Sequence, residues 1–90
     1  MTGSRRETLR LDRLLVNLRF ARTRSRAQTQ IETGHMRLNG ERVLKPSREV
    51  GVGDVITLAY DETVMVVRIE KLPQRRLAPA EAARGWVRIA

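Results

Sequence analysis

Arg19, Arg22, Arg24 and Arg26 set four guanidinium groups within eight positions, in the stretch RFARTRSRAQTQIETG at residues 19 to 34. A guanidinium is a permanent cation with a planar fork of donors, suited to phosphate and carboxylate oxygens. The crowding breaks two local rules. Helix N-termini carry a partial positive charge and favour Asp or Glu. Like charges at i and i+4, here Arg22 and Arg26, repel on a helix surface. Broken local rules tend to mark functional sites. A helix starting near Thr23 or Ser25 offers free backbone N–H groups as an anion site, and Thr23 and Ser25 add hydroxyls. Arg22, Arg24 and Arg26 surround that site, with Arg19 arriving from the preceding helix. Arg10 and Arg13 enlarge the patch if the two helices pack antiparallel. Gln28 is either a polar contact or a helix-cap partner. Arg37, Asn39 and Lys45 supply a second edge from a following hairpin. The plain alternative is a solvated face in which Asp12 or Glu32 neutralises one or two arginines, with Arg24 or Arg19 pinned to Asp12. Residues 10 to 26 hold six arginines and one acid. Local pairing cannot neutralise that surplus, which favours anion binding.

Catalytic chemistry finds little support. The single histidine, His35, follows a glycine and has no companions for a metal site. Acids stand singly apart from Asp61-Glu62, so no carboxylate pair for acid–base work is visible. No G-x-x-x-x-G-K phosphate loop occurs. The chain reads as a binding protein without a cofactor, not an enzyme. Its aromatic residues, Phe20, Tyr60 and Trp86, are too few and scattered for a base-stacking platform. A nucleic-acid partner would therefore be read through phosphates and shape.

The charge is segregated along the chain. Residues 1 to 50 carry 12 Lys and Arg against 5 Asp and Glu, a net of +7, whereas residues 51 to 90 carry 6 against 5, a net of +1. A one-sided basic domain points to a polyanion: nucleic acid first, an anionic membrane surface second. Ninety residues suggest one domain burying roughly 60% of its unfolded surface. Without cysteine the chain fits a reducing compartment. Residues Met1 to Leu11 have charge but no continuous apolar stretch, so no secretory signal is expected, and the cytoplasm is the default.

These residues need elements to hold them. Leu11, Leu14, Leu15 and Leu18 fall at i, i+3, i+4 and i+7, a helical stripe. Ala27 and Ile31 share a face of the second helix, and Gly34 stops it. The period then changes: Met36 and Leu38 alternate with Arg37, and Asn39-Gly40 marks a hairpin turn. Residues 55–60 and 64–69 read as two β-rich runs around Asp61-Glu62, and Pro73 ends the sheet. A short helix follows Pro79. The expected fold is α+β: two packed N-terminal helices, a small antiparallel sheet and a short C-terminal helix. Residues 1–8 are expected as a flexible tail, 9–72 as the domain and 73–90 as a C-terminal appendage. A monomer is expected.

Arg10-Leu11-Asp12-Arg13, Thr23-Arg24-Ser25, Gly34, Asn39-Gly40, Lys45-Pro46-Ser47 and Gly53-Asp54 together resemble the S4 RNA-binding domain, also called the αL motif, over about Leu9 to Leu58. Arg19 to Ser25, Gln74-Arg75-Arg76 and Pro79 to Ala83 look like its ribosome-associated fifteen-kilodalton heat-shock branch. That resemblance implies a bacterial fold whose two helices and hairpin grip structured RNA, ribosomal or transfer, on large ribosomal subunits. It implies RNA contacts at Arg10, Asp12, Arg13, Thr23, Arg24, Ser25, Gln28 and the Arg37 to Asn39 edge. The expected function is RNA binding in ribosome-associated quality control or stress response. The alternatives are a DNA-binding regulator, since helix–turn–helix plus hairpin resembles a winged module, and a ribosome-assembly interaction module.

Overall fold

The computed structural model describes residues 6 to 90. Strand β1 (Leu9–Arg10) leads directly into helix α1 (Leu11–Asn17), and α2 (Arg24–Glu32) follows. Strands β2 (Arg37–Leu38), β3 (Glu41–Arg42), β4 (Glu49–Val50), β5 (Val55–Tyr60) and β6 (Thr63–Ile69) come next. Helix α3 (Pro79–Ala82) and β7 (Trp86–Arg88) complete the chain. The main sheet is antiparallel in the order β3-β2-β5-β6-β7, and β1 pairs with β4 as a separate ribbon. This is the expected α+β class.

The leucine stripe behaves as its spacing dictates. Leu11, Leu14, Leu15 and Leu18 are all buried, each stabilising by roughly 1.5–3 kcal/mol. They share one core with Ala27 and Ile31 of α2 and with Ile56, Leu58, Met65, Val67 and Ile69 of the sheet. No side chain caps α1. The loop after β3 does so instead: Leu11 N–H donates to the Arg48 carbonyl at 2.8 Å and Asp12 N–H to the Pro46 carbonyl at 3.1 Å. The carbonyls of Pro46 and Arg48 therefore cap the N-terminus of a helix more than thirty positions upstream. Helix α2 is capped by Thr23, whose hydroxyl accepts from Arg26 N–H at 3.1 Å, an interaction worth about 1 kcal/mol.

Helix α1 ends in a Schellman motif. Phe20 N–H donates to the Leu15 carbonyl at 2.7 Å and Arg19 N–H to the Val16 carbonyl at 3.0 Å. Arg19 takes the left-handed position with φ 67°, where glycine is usual. The turn delivers Phe20 into the core. There it meets Tyr60 edge-on at 5.6 Å between ring centroids and Trp86 at 5.1 Å. The rings that look scattered in sequence form one cluster, which closes the core's end instead of lining a platform for bases.

Asn39-Gly40 makes the expected hairpin turn, with φ 53° and 84° and Leu38 opposite Glu41. Asp61-Glu62 turns β5 into β6 with φ 54° and 63°, a left-handed pair that aspartate tolerates and glutamate does not favour.

The C-terminal segment departs from expectation. Pro73 does not end the sheet, because β7 returns to pair with β6, Val67 opposite Arg88 and Ile69 opposite Trp86. Residues 73–77 are stitched to α1: Asn17 Nδ2 donates to the Pro73 carbonyl at 2.9 Å, and Leu77 N–H to the Asn17 carbonyl at 3.0 Å. Gly85 lies so close to Leu18 that a Cβ there would stand 2.4 Å from its Cδ2. What reads as an appendage is the fifth strand and a strap across α1. Of the expected tail, residues 1–5 lie outside the described residues. Arg6 ion-pairs with Asp54 at 2.7 Å, and the Thr8 hydroxyl bonds to Glu49.

Candidate nucleic-acid interface

Asp12 is the centre of the helix pair. It sits in the first turn of α1, fully buried, where the helix dipole favours a negative charge. Arg10 forks onto it, Nε to Oδ1 at 3.1 Å and Nη2 to Oδ2 at 2.9 Å. From α2, Arg24 Nε reaches Oδ2 at 3.3 Å and Gln28 Nε2 reaches Oδ2 at 3.0 Å. Arg13 N–H adds a fifth bond to Oδ1 at 2.8 Å. Burial by itself would raise the Asp12 pKa. The bonds from Arg10, Gln28, Arg24 and the Arg13 backbone overcome it and hold the carboxyl at about 2.

This geometry corrects the reading of Asp12 as an RNA contact, since a carboxylate with no exposed surface touches no partner. It orients side chains that do reach solvent: those of Arg10 and Arg24 remain 42% and 51% exposed. Half the solvated-face alternative therefore holds, since Arg24 is pinned to Asp12 as that reading allowed.

The other arginines are not neutralised in this way. Among the described residues, Arg22 and Arg26 have no hydrogen-bonded or ion-paired partner for their side chains, and both are exposed together with Thr23 and Ser25. The Thr23 hydroxyl already accepts from Arg26 N–H, so it keeps only its own proton to donate. The Arg24 and Ser25 N–H groups have no partner among the described residues. Arg13 Nη2 donates to the Gln74 carbonyl at 3.4 Å and Arg19 Nε to the Leu77 carbonyl at 2.7 Å. Both arginines are held by dipoles and keep their full charge.

The hairpin edge presents Arg37, Asn39 and Lys45, all exposed. Asn39 is spent on structure: its Oδ1 accepts from Val55 N–H at 2.8 Å and its Nδ2 donates to Asp54 Oδ1 at 3.3 Å. The residue nonetheless remains exposed at the hairpin turn. Arg37 is exposed and donates to the Gly40 carbonyl at 3.1 Å. Lys45 is exposed beside the loop that caps α1.

Three features lie outside the site residues expected from sequence. Arg42 stands directly opposite Arg37 in the hairpin, a like-charge pair that cross-strand packing disfavours. The two-residue Asn39-Gly40 turn implies that register. Asp54 is a second buried carboxylate. Burial would raise its pKa, but Gly51 N–H, Arg6 and Asn39 draw it below its ordinary value. Arg75 and Arg76 lie exposed on the strap over α1.

Two packed helices joined through one carboxylate, with a hairpin beyond them and unneutralised arginines on the helix side, define a basic α+β module of the αL type. The chain belongs to the S4 domain family, whose model matches residues 9–56. Its relatives include the small ribosomal subunit protein uS4 of Mycoplasma mobile, 33% identical over 70 residues that cover 78% of this chain and 35% of that protein. The uS4 protein of Erythrobacter litoralis is 35% identical over 78 residues, covering 84% of this chain and 38% of that one. The chain thus spans little more than a third of these uS4 proteins. Among solved structures, the heat shock protein 15 of Vibrio cholerae, described as trimeric, superposes with a TM-score of 0.86 at 37% identity. The match covers 93% of this chain and 84% of that one.

Proposed function

We propose that this protein binds structured RNA, ribosomal or transfer, without catalysis, through the exposed face around the start of α2, and that it works on ribosomal particles in the cytoplasm. One observation carries the reading: Arg22, Arg26 and the Arg24 and Ser25 N–H groups are exposed and unneutralised, while buried Asp12 fixes Arg10, Arg24 and Gln28 beside them. Gathering that charge costs stability in the free protein, and a phosphate backbone relieves it. The similarity to heat shock protein 15 and to uS4 supports RNA and the ribosome as the setting, and a role in quality control or stress response is part of the same proposal. The patch is complete within one chain, so one copy is the binding unit. Duplex DNA fits less well, since α2 offers Gln28, Thr29 and Gln30 after Arg26 and no further base.

Titration with deproteinised ribosomal RNA over a salt series provides the test. Neutralising about four to six phosphates gives a log–log slope of roughly −3 to −5. Arg22→Glu with Arg26→Glu is the informative double variant, because neither side chain supports the fold, whereas Arg24 does. It should abolish most binding with unchanged thermal unfolding. Undiminished affinity in that variant, or a preference for duplex DNA in competition, overturns the reading.

A further inference from the structure

The strap at residues 73–77 is built like a mount. Both its ends are tied to Asn17, which is buried at the last turn of α1: the Pro73 carbonyl to Nδ2 at 2.9 Å and Leu77 N–H to the backbone carbonyl at 3.0 Å. Two further bonds come from arginines of the helical region, Arg13 to the Gln74 carbonyl and Arg19 to the Leu77 carbonyl. Four bonds fix a five-residue segment whose centre, Arg75 and Arg76, is exposed.

The charge arrangement is unusual. A structural strap would be expected to present acids to Arg13 and Arg19. This one presents carbonyl oxygens, and between them it adds two more guanidinium groups. Positions 71 to 77 contain Lys71, Arg75 and Arg76 and no acid. Among the described residues, the ion pairs are Arg6–Asp54, Arg10–Asp12, Arg24–Asp12 and Arg68–Glu70. None touches Arg13, Arg19, Arg75 or Arg76. Among the described residues, the only side-chain bond made by either strap arginine is the 3.5 Å contact of Arg75 Nη1 with the Arg76 carbonyl, at the limit of a hydrogen bond.

The strap also joins the face already described. Arg13 is the link: its N–H donates to Asp12 Oδ1 while its guanidinium reaches Gln74. The same residue thus belongs to the carboxylate centre and to the strap.

We infer that the strap is a second phosphate-contacting element, in which Arg75 and Arg76, flanked by Arg13 and Arg19, take a stretch of RNA backbone beyond the part held at α2. This rests on the RNA-binding reading and adds to it a footprint that crosses α1. The contact is to phosphate and carries no sequence preference of its own.

The test compares three proteins by titration with deproteinised ribosomal RNA across a salt series: the parent, Arg75→Ala/Arg76→Ala, and Arg75→Lys/Arg76→Lys. The alanine pair should bind at least tenfold more weakly near 0.1 M salt, with the log–log slope shallower by about two, one per lost phosphate contact. The lysine pair should keep the parent slope, because the charge is retained. Parent-like slope and affinity in the alanine pair overturn the inference while leaving the α2 site standing, which Arg22→Glu/Arg26→Glu reports separately. No binding by the parent overturns both. Thermal unfolding of the alanine pair should match the parent, since its side chains support nothing, and an unfolding shift would show the strap to be structural and overturn the inference.

Discussion

Arg24, the first residue of α2, donates from Nε to Oδ2 of Asp12 on α1 at 3.3 Å. The bond joins the two helices across their N-terminal ends and couples the orientation of an exposed cation to a carboxylate that never meets solvent. Arginine in the first turn of a helix opposes the helix dipole. Here the buried acid supplies the compensating charge from the neighbouring helix, so part of the broken rule is mended through space.

Replacing Asp12 should therefore do two things at once. Asp12→Asn keeps the shape but turns an acceptor toward three donors into a partial donor. Truncating a buried, multiply bonded charge costs about 3 kcal/mol, reduced here because Arg10 and Arg24 can turn out to water. We expect a loss of about 2 kcal/mol in urea unfolding. RNA affinity should weaken as well, although Asp12 touches no RNA. Full stability in the variant would show that the five bonds contribute little.

Acid should destabilise the protein through the same residue. Unfolded aspartate titrates near 3.8, and folded Asp12 near 2. The folded state binds the proton more weakly, so the stabilisation is complete above the unfolded value and is lost as the pH falls from about 4 toward about 2. A depression of that size is worth about 2 kcal/mol. Asp54 is lowered as well and adds in the same direction. Urea melts between pH 2 and 6 should show a plateau and then a fall, and Asp12→Asn should remove part of the slope. A pH-independent profile would rule out this linkage.

Arg19 bears a local strain that a paired substitution can expose. Its φ of 67° costs a residue with a Cβ about 1 kcal/mol relative to glycine. Arg19→Ala and Arg19→Gly both lose the bond to the Leu77 carbonyl, but only the glycine relieves the backbone. The glycine variant should be the more stable of the two by about 1 kcal/mol, and both should lose the same RNA affinity. Equal melting temperatures would mean that the turn is unstrained.

Much of the architecture could be read in sequence because its causes are local. Leu11 to Leu18 mark a helix by spacing alone, Thr23 or Ser25 opens the next one and Gly34 stops it, and Asn39-Gly40 carries the backbone preference that closes a hairpin. Phe20, Trp86 and the strap could not be placed that way. The three aromatic rings come from the exit of α1, the end of β5 and the last strand, and no period in the chain connects them. Pro73 looked like an end because proline breaks strands locally, whereas β7 is recruited by pairing with β6 from beyond it.

For the interface, composition alone established that six arginines face a single acid between residues 10 and 26, so a surplus of positive charge was unavoidable however the chain folded. Which arginines carry that surplus was decided only in three dimensions. Asp12 takes Arg10 and Arg24, Asn39 is given over to Asp54 and Val55, and Arg13 and Arg19 turn to the carbonyls of a strap more than fifty residues away. Net charge is a sum over residues and ignores the fold, while pairing depends on distances of about 3 Å that only packing brings about.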